Sequence, residues 1–202
     1  MNQELTKETV KKLMEIKGEV KGVTFKTDAE HILKEKGEEG LKRLEAELEN
    51  LGCPIKYQEI KTMFSYPVGL RVISLLAIKK VFGYDDKKIE EMGLLATKRS
   101  LIVKLFVRYF LSLQRVFSKE APLLWKQHYS IGELIPVELN EEKKYAILRL
   151  KDFNVHPVLC RYLGGYFCGI VQLIVKSSQI DFEERKCTFR GDEYHEYLLK
   201  WK

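Results

Sequence analysis

Four residues in the last third of the chain have the types and spacing to hold a metal ion: Cys160, Glu184, Cys187 and His195. Cys187 and His195 are separated by eight positions with Gly191 at their midpoint. A hairpin turning at Gly191 sets them opposite each other, with β-carbons roughly 4.5–5.5 Å apart. Two donors at that separation can share one zinc ion, each about 2.0–2.3 Å from it. Cys160 can supply a third donor from the helix that precedes the hairpin. Glu184 can supply a fourth, with one geometric condition. It stands three residues before Cys187, so a regular strand points the two to opposite faces, and both can bind only across a bulge or bend. Cys168 is the alternative fourth donor. Eight residues of helix place it roughly 12 Å from Cys160, so it enters only if Gly164-Gly165 breaks that helix. Cysteine is also among the residue types most often simply buried, and each thiol has that ordinary reading beside the ligand one.

A second set is aromatic. Phe110, Trp125, Tyr162 and Tyr166 are the candidate ligand-binding residues, within a supply that includes Phe106, Tyr109, Tyr129 and Phe167. An apolar cavity with a few polar groups binds small molecules, and the tyrosine hydroxyls can supply those groups. The same rings also read as ordinary core. No nucleophile elbow, phosphate loop or dinucleotide fingerprint occurs. The acid pairs Asp85-Asp86 and Glu90-Glu91 lie on charged helix segments, and His31, His128 and His156 have no evident catalytic neighbour in sequence. No catalytic residue is assigned, and the expected role is non-catalytic.

The elements that must position these groups follow from periodicity. A marginal helix is expected over 4–18 and a short strand over 22–26. A helix capped by Thr27 or Asp28 should run to about Lys36, and another from Glu38 to Leu51, where Leu41, Leu44 and Leu48 recur at helical spacing before Gly52. Ser65-Tyr66-Pro67 opens a helix ending at Gly83. Asp85 or Asp86 opens the next, through Leu95 or Ala96. Residues 100–117 form the most apolar helix expected, with Lys104, Arg108 and Arg115 on one stripe. That pattern suits a core or a subunit interface. Alternation at Ile135, Val137 and Leu139, then at Ala146, Leu148 and Leu150, predicts a hairpin. A helix over 156–174 follows, then a strand ending near Arg190 and a returning strand over 194–201. Helices first, then hairpin, helix and hairpin predict an α+β fold, an antiparallel sheet with helices packed on it. The expected division is an N-terminal extension over 1–62 and an α+β ligand-binding domain over 63–202.

The chain has 202 residues, 45% hydrophobic and 32% charged, enough apolar material for a core rather than disorder. Its net charge of +6 is spread among interleaved Lys and Glu, as in 34–49, so no nucleic-acid partner is expected. The opening 17 residues are charged throughout and read as no export signal. The apolar 101–117 stretch is too interrupted to span a membrane. A cytoplasmic protein with reduced cysteines is the expectation.

The run Cys160-Arg-Tyr-Leu-Gly-Gly165-Tyr166-Phe-Cys-Gly169, followed by Glu184-x-x-Cys187-x-x-x-Gly191-x-x-x-His195, resembles the 4-vinyl-reductase domain family. It is most similar to the sensor domains of phenol- and xylene-responsive transcription activators. In those domains three cysteines and the glutamate hold zinc. Carried over by position, the resemblance implies Cys160, Glu184, Cys187 and His195, with His195 standing where the family has its last cysteine. Histidine is itself a good zinc ligand. The resemblance covers about 120–202. It implies an apolar pocket for a small hydrophobic or aromatic molecule, and a homodimer. The wider superfamily includes vesicle-tethering subunits and haem-based nitric-oxide sensors, so the alternative expectation is a scaffold or assembly protein like those subunits, and a further one a reductase-type enzyme. The Tyr-x-Ser-x-Arg motif of the haem sensors is not found, so haem is not expected.

Overall fold

The computed structural model describes residues 5–99, 113–175, 177 and 179–202. The contacts divide the chain into two units, Met1–Ile89 and Glu90–Lys202.

In the first unit, α1 (Lys7–Met14) is capped by Thr6, whose hydroxyl accepts from the Thr9 N–H at 3.2 Å. β1 (Glu19–Lys21) pairs antiparallel with β2 (Ser65–Pro67), Val20 opposite Tyr66. The strand expected over 22–26 therefore lies a few residues earlier. Gly22 sits against the Lys61 carbonyl, with no room for a Cβ, and Val23 and Phe25 belong to the first turns of α2 (Val23–Asn50). Gly37, at φ 69°, breaks that helix into the two segments expected from sequence. Leu41, Leu44 and Leu48 are all buried in the second segment. α3 (Val68–Phe82) begins after Pro67 and ends at Gly83 in the left-handed region, φ 64°. The three residues expected to open it form β2 instead, because Tyr66 is held in pairing with Val20.

The division at Ile89 differs from the one expected at residue 62. β2 pairs with β1, and α3 packs on α1 and α2, so residues 65–82 have their contacts with the N-terminal elements. α4 (Asp86–Arg99) is capped by Asp85, whose carboxylate accepts from the Lys88 N–H at 2.8 Å.

In the second unit, the expected 100–117 helix falls largely outside the described residues, with Phe106, Tyr109 and Phe110. Its last part is present as α5 (Leu113–Arg115), running through a π-helical turn (Val116–Glu120) into α6 (Ala121–His128). β3 (Glu133–Asn140) and β4 (Tyr145–Lys151) form the expected hairpin, with a bulge at Val137. α7 (Pro157–Val175) follows, then β5 (Ile180–Lys186), a 3-10 turn (Thr188–Arg190) and β6 (His195–Trp201). The sheet is antiparallel throughout in the order β3-β4-β6-β5. β5 stops at Lys186 rather than Arg190, because 188–190 coil into the turn.

α7 packs on β5 and β6. Gly164 gives its place to the Phe182 ring, while Gly165 and Gly169 lie against the α4 backbone near Glu90 and Leu94. These glycines let a helix pack closely; they do not break it. Tyr197 fills the space under α7, edge-on to Phe167 at 5.3 Å. Among the described residues, α7 is the one helix long and apolar enough to cross a membrane, and 61% of that window is buried within the protein.

Candidate metal centre

The turn places Gly191 at φ 93°, ψ 6°, a left-handed conformation natural to glycine. β5 and β6 pair Glu184 with Tyr197 and Lys186 with Glu196, so Arg185 is an extra residue. That bulge turns Glu184 and Cys187 to the same side, the condition their spacing imposed. Continuing the register past Lys186 and Glu196 brings Cys187 opposite His195. Cys160 reaches the pair from the first turn of α7.

The four candidate ligand atoms lie within 4.8 Å of one another. Cys160 Sγ is 4.0 Å from Cys187 Sγ and 3.7 Å from His195 Nδ1. His195 Nδ1 is 3.5 Å from Glu184 Oε1. A tetrahedral zinc with bonds of about 2.0–2.3 Å spaces its donors about 3.3–3.8 Å apart, so these separations are near those of an ion's coordination shell. All four side chains are buried: Cys160 is 6%, Cys187 4% and His195 1% exposed, and the Glu184 side chain 6%.

The surrounding hydrogen bonds fix each donor. His195 Nε2 is 3.0 Å from the Phe153 carbonyl, which can only accept, so the ring proton is on Nε2 and the Nδ1 lone pair faces the cluster. Thr188 Oγ1, also 3.0 Å from Nε2, donates to Asn154 Oδ1 at 3.3 Å. The Cys187 N–H donates to Asp192 Oδ2 at 2.8 Å, and the Cys187 carbonyl accepts from Arg190 and Asp192. The Cys160 carbonyl accepts from the Tyr197 hydroxyl at 3.4 Å. Glu184 Oε1, by contrast, is buried with no hydrogen-bond partner. A buried carboxylate oxygen facing an imidazole lone pair is an arrangement that a cation between them would satisfy.

Burial pushes the Cys160 and Cys187 thiols up, and the charge of Glu184 adds to it. Burial acts on Glu184 too, but the nearby His195 and Cys187 side chains and the charge of Arg190 outweigh it and hold the carboxyl below its ordinary value. The cluster offers one carboxylate, one imidazole and two thiols. A dication binding there displaces the two thiol protons.

Cys168 stands apart from this group. α7 runs unbroken from Pro157 to Val175, and the Cys168 thiol is pushed up to about 12 by burial, with Glu90 and Asp181 adding to it. Of the aromatic candidates, Phe110 lies outside the described residues. Trp125 stacks on Tyr129 at 4.5 Å and meets Phe153 edge-on at 5.2 Å. Its indole N–H donates to the carbonyls of Ile131 and Gly132, each at 3.1 Å. Tyr162 and Tyr166 lie along α7. The Tyr166 hydroxyl is pushed up by burial and by neighbouring Tyr129. Arg190, Thr188, Asn154, Phe153 and Asp192 were not singled out from sequence. Three of them lie on the short loop between two ligand candidates, the one signal that could have found them.

No family model matches the chain, and no curated protein matches it in sequence. Solved structures do match in fold. An H-NOX protein from S. oneidensis in its Fe(II)NO ligation state is 15% identical, with a TM-score of 0.68 over 90% of this chain and 99% of that one. A structure from a study of heme distortion in the H-NOX family is 18% identical, with a TM-score of 0.62 over 90% and 95%. An Fe(II) unliganded H-NOX protein from K. algicida is 12% identical, with a TM-score of 0.61 over 90% and 96%. These neighbours overturn the expectation that haem is excluded. That expectation rested on one missing three-residue motif, whereas the likeness to heme-linked structures spans nine-tenths of the chain. The chain has the α+β fold of the H-NOX nitric-oxide sensor proteins.

Proposed function

We propose that the protein is a non-catalytic small-molecule sensing module whose C-terminal hairpin is clasped to α7 by one structural zinc ion. Cys160, Glu184, Cys187 and His195 are its ligands in this reading. The observation that carries it is the buried Glu184 Oε1, without a hydrogen-bond partner and 3.5 Å from His195 Nδ1, inside a cluster that also holds two thiols. Four protein donors close the coordination sphere, which suits a structural rather than a catalytic ion. Within the H-NOX-like fold, the run from Cys160 to His195 supports reading the chain as a sensor domain of the 4-vinyl-reductase type. Trp125, Tyr162 and Tyr166 are the described side chains assigned to the ligand, with cytoplasmic location and homodimer formation as parts of the same proposal.

The test is direct. The purified protein should carry one zinc per chain by elemental analysis. Titration with haemin, and separately with phenol or xylene, should reveal the sensed ligand by a shifted haem absorbance band or by a raised melting temperature. Absence of stoichiometric metal removes the clasp, and indifference to all three probes removes the sensor assignment.

A further inference from the structure

The geometry points to Arg190 as a positioning residue for the metal centre, a guanidinium that clamps Glu184 so that only one carboxylate oxygen reaches the ion. This rests on the four-ligand reading above. Arg190 Nη1 donates to Glu184 Oε2 at 3.2 Å, and Nη2 donates to the Glu184 carbonyl at 2.8 Å. One planar fork thus holds both the outer carboxylate oxygen and the backbone of the same residue. The two carboxylate oxygens are thereby given different tasks. Oε2 faces Arg190, and Oε1, buried without a hydrogen-bond partner, faces the cluster. Glu184 is on that account a monodentate ligand, and the fourth position stays tetrahedral.

The clamp is built into the same turn as a ligand. Cys187 caps the 3-10 turn Thr188–Arg190, and the Arg190 N–H donates to the Cys187 carbonyl at 2.8 Å. Closing the turn therefore presents a thiol and the guanidinium together. Charge argues the same way. Two thiolates, one carboxylate and a neutral imidazole around a dication leave one net negative charge, and Arg190 offsets it. The Arg190 side chain is 48% exposed, so replacing it opens no core cavity.

The experiment measures zinc affinity by chelator competition, and the absorption spectrum of the cobalt(II) form, for the wild type, Arg190→Gln, Arg190→Lys, Glu184→Gln and the double variant Glu184→Gln/Arg190→Gln. Circular dichroism confirms the fold of each. Arg190→Gln should bind zinc about 10–100-fold more weakly and shift the cobalt spectrum toward that of Glu184→Gln. Arg190→Lys should recover part of the loss, since an ammonium restores charge but not the fork. The double variant should bind no more weakly than Glu184→Gln alone. Wild-type affinity and spectrum in Arg190→Gln, or losses that multiply in the double variant, would overturn the clamp. A wild type that takes up no zinc overturns the four-ligand reading itself, and the clamp with it.

Discussion

Replacing Cys187 with alanine separates a metal clasp from a merely buried thiol. Without metal the substitution removes one sulfur from a side chain that is 4% exposed. Deleting a buried heavy atom of that size costs about 1 kcal/mol. Zinc changes the comparison. An ion bound only by the folded state contributes about 4 kcal/mol when its free concentration is a thousand times the dissociation constant. The variant, left with three donors, forgoes most of that. For a cooperative unit the size of Glu90–Lys202, 1 kcal/mol moves the melting temperature by about 4 °C. Wild type and variant should therefore melt about 4 °C apart in chelator and about 15–20 °C apart in buffered zinc. Differential scanning calorimetry with and without zinc reads both gaps, and elemental analysis reads metal content. Equal gaps in the two buffers, or unchanged zinc in Cys187→Ala, would refute the reasoning.

The other predictions concern α7. Cys168→Ala should leave zinc content unchanged and cost about 1 kcal/mol for the lost buried atom; loss of metal would make Cys168 a ligand. The same variant carries a pH signature. Burial raises the folded Cys168 thiol from 9.0 to about 12, so above pH 9 the unfolded chain releases a proton that the folded chain keeps. Stability falls between those values, and the wild type should lose stability relative to Cys168→Ala as pH climbs from about 9 toward 12 in chemical denaturation. Gly165→Ala places a methyl against the Glu90 carbonyl and the Leu94 nitrogen of α4. Alanine gains about 1 kcal/mol of helix propensity, but backbone cannot yield as a side chain can. Net destabilisation of about 2 kcal/mol is expected by urea titration, and a stabilised variant would mean α4 and α7 do not cross there.

What could be read from sequence was what local chemistry dictates. Gly191 at the midpoint of Cys187 and His195 set the turn, and the three-residue step from Glu184 to Cys187 demanded a bulge. The structure has a left-handed Gly191 and an extra residue at Arg185. Gly52 and Gly83 end helices because both adopt positive φ. What escaped depended on partners remote in sequence. Val23 and Phe25 alternate like a strand, yet β2 comes from residues 65–67 and pairs with 19–21. Arg190 carries no signal of its own in the sequence, because it takes the fold to bring the Glu184 carboxylate to it. The haem expectation failed for a related reason. A short motif reports on three side chains, while a fold reports on the whole chain.

The centre stands where the sheet most needs a fastening. Among the described residues β5 is an edge strand, paired only with β6, and its last pair is Lys186 with Glu196. Beyond that pair, the turn, the Lys186 hydrogen bond to the Tyr194 hydroxyl and the side-chain cluster join the two arms. A link from Cys160 to Cys187 closes a loop of 27 residues, and a cross-link of that span removes about 3.5 kcal/mol of unfolded-chain entropy. The same fastening reaches the aromatic cluster through one residue. Phe153 gives its carbonyl to His195 Nε2 and its ring to Trp125 and Tyr129. Ring packing and the candidate metal site thus share one backbone segment.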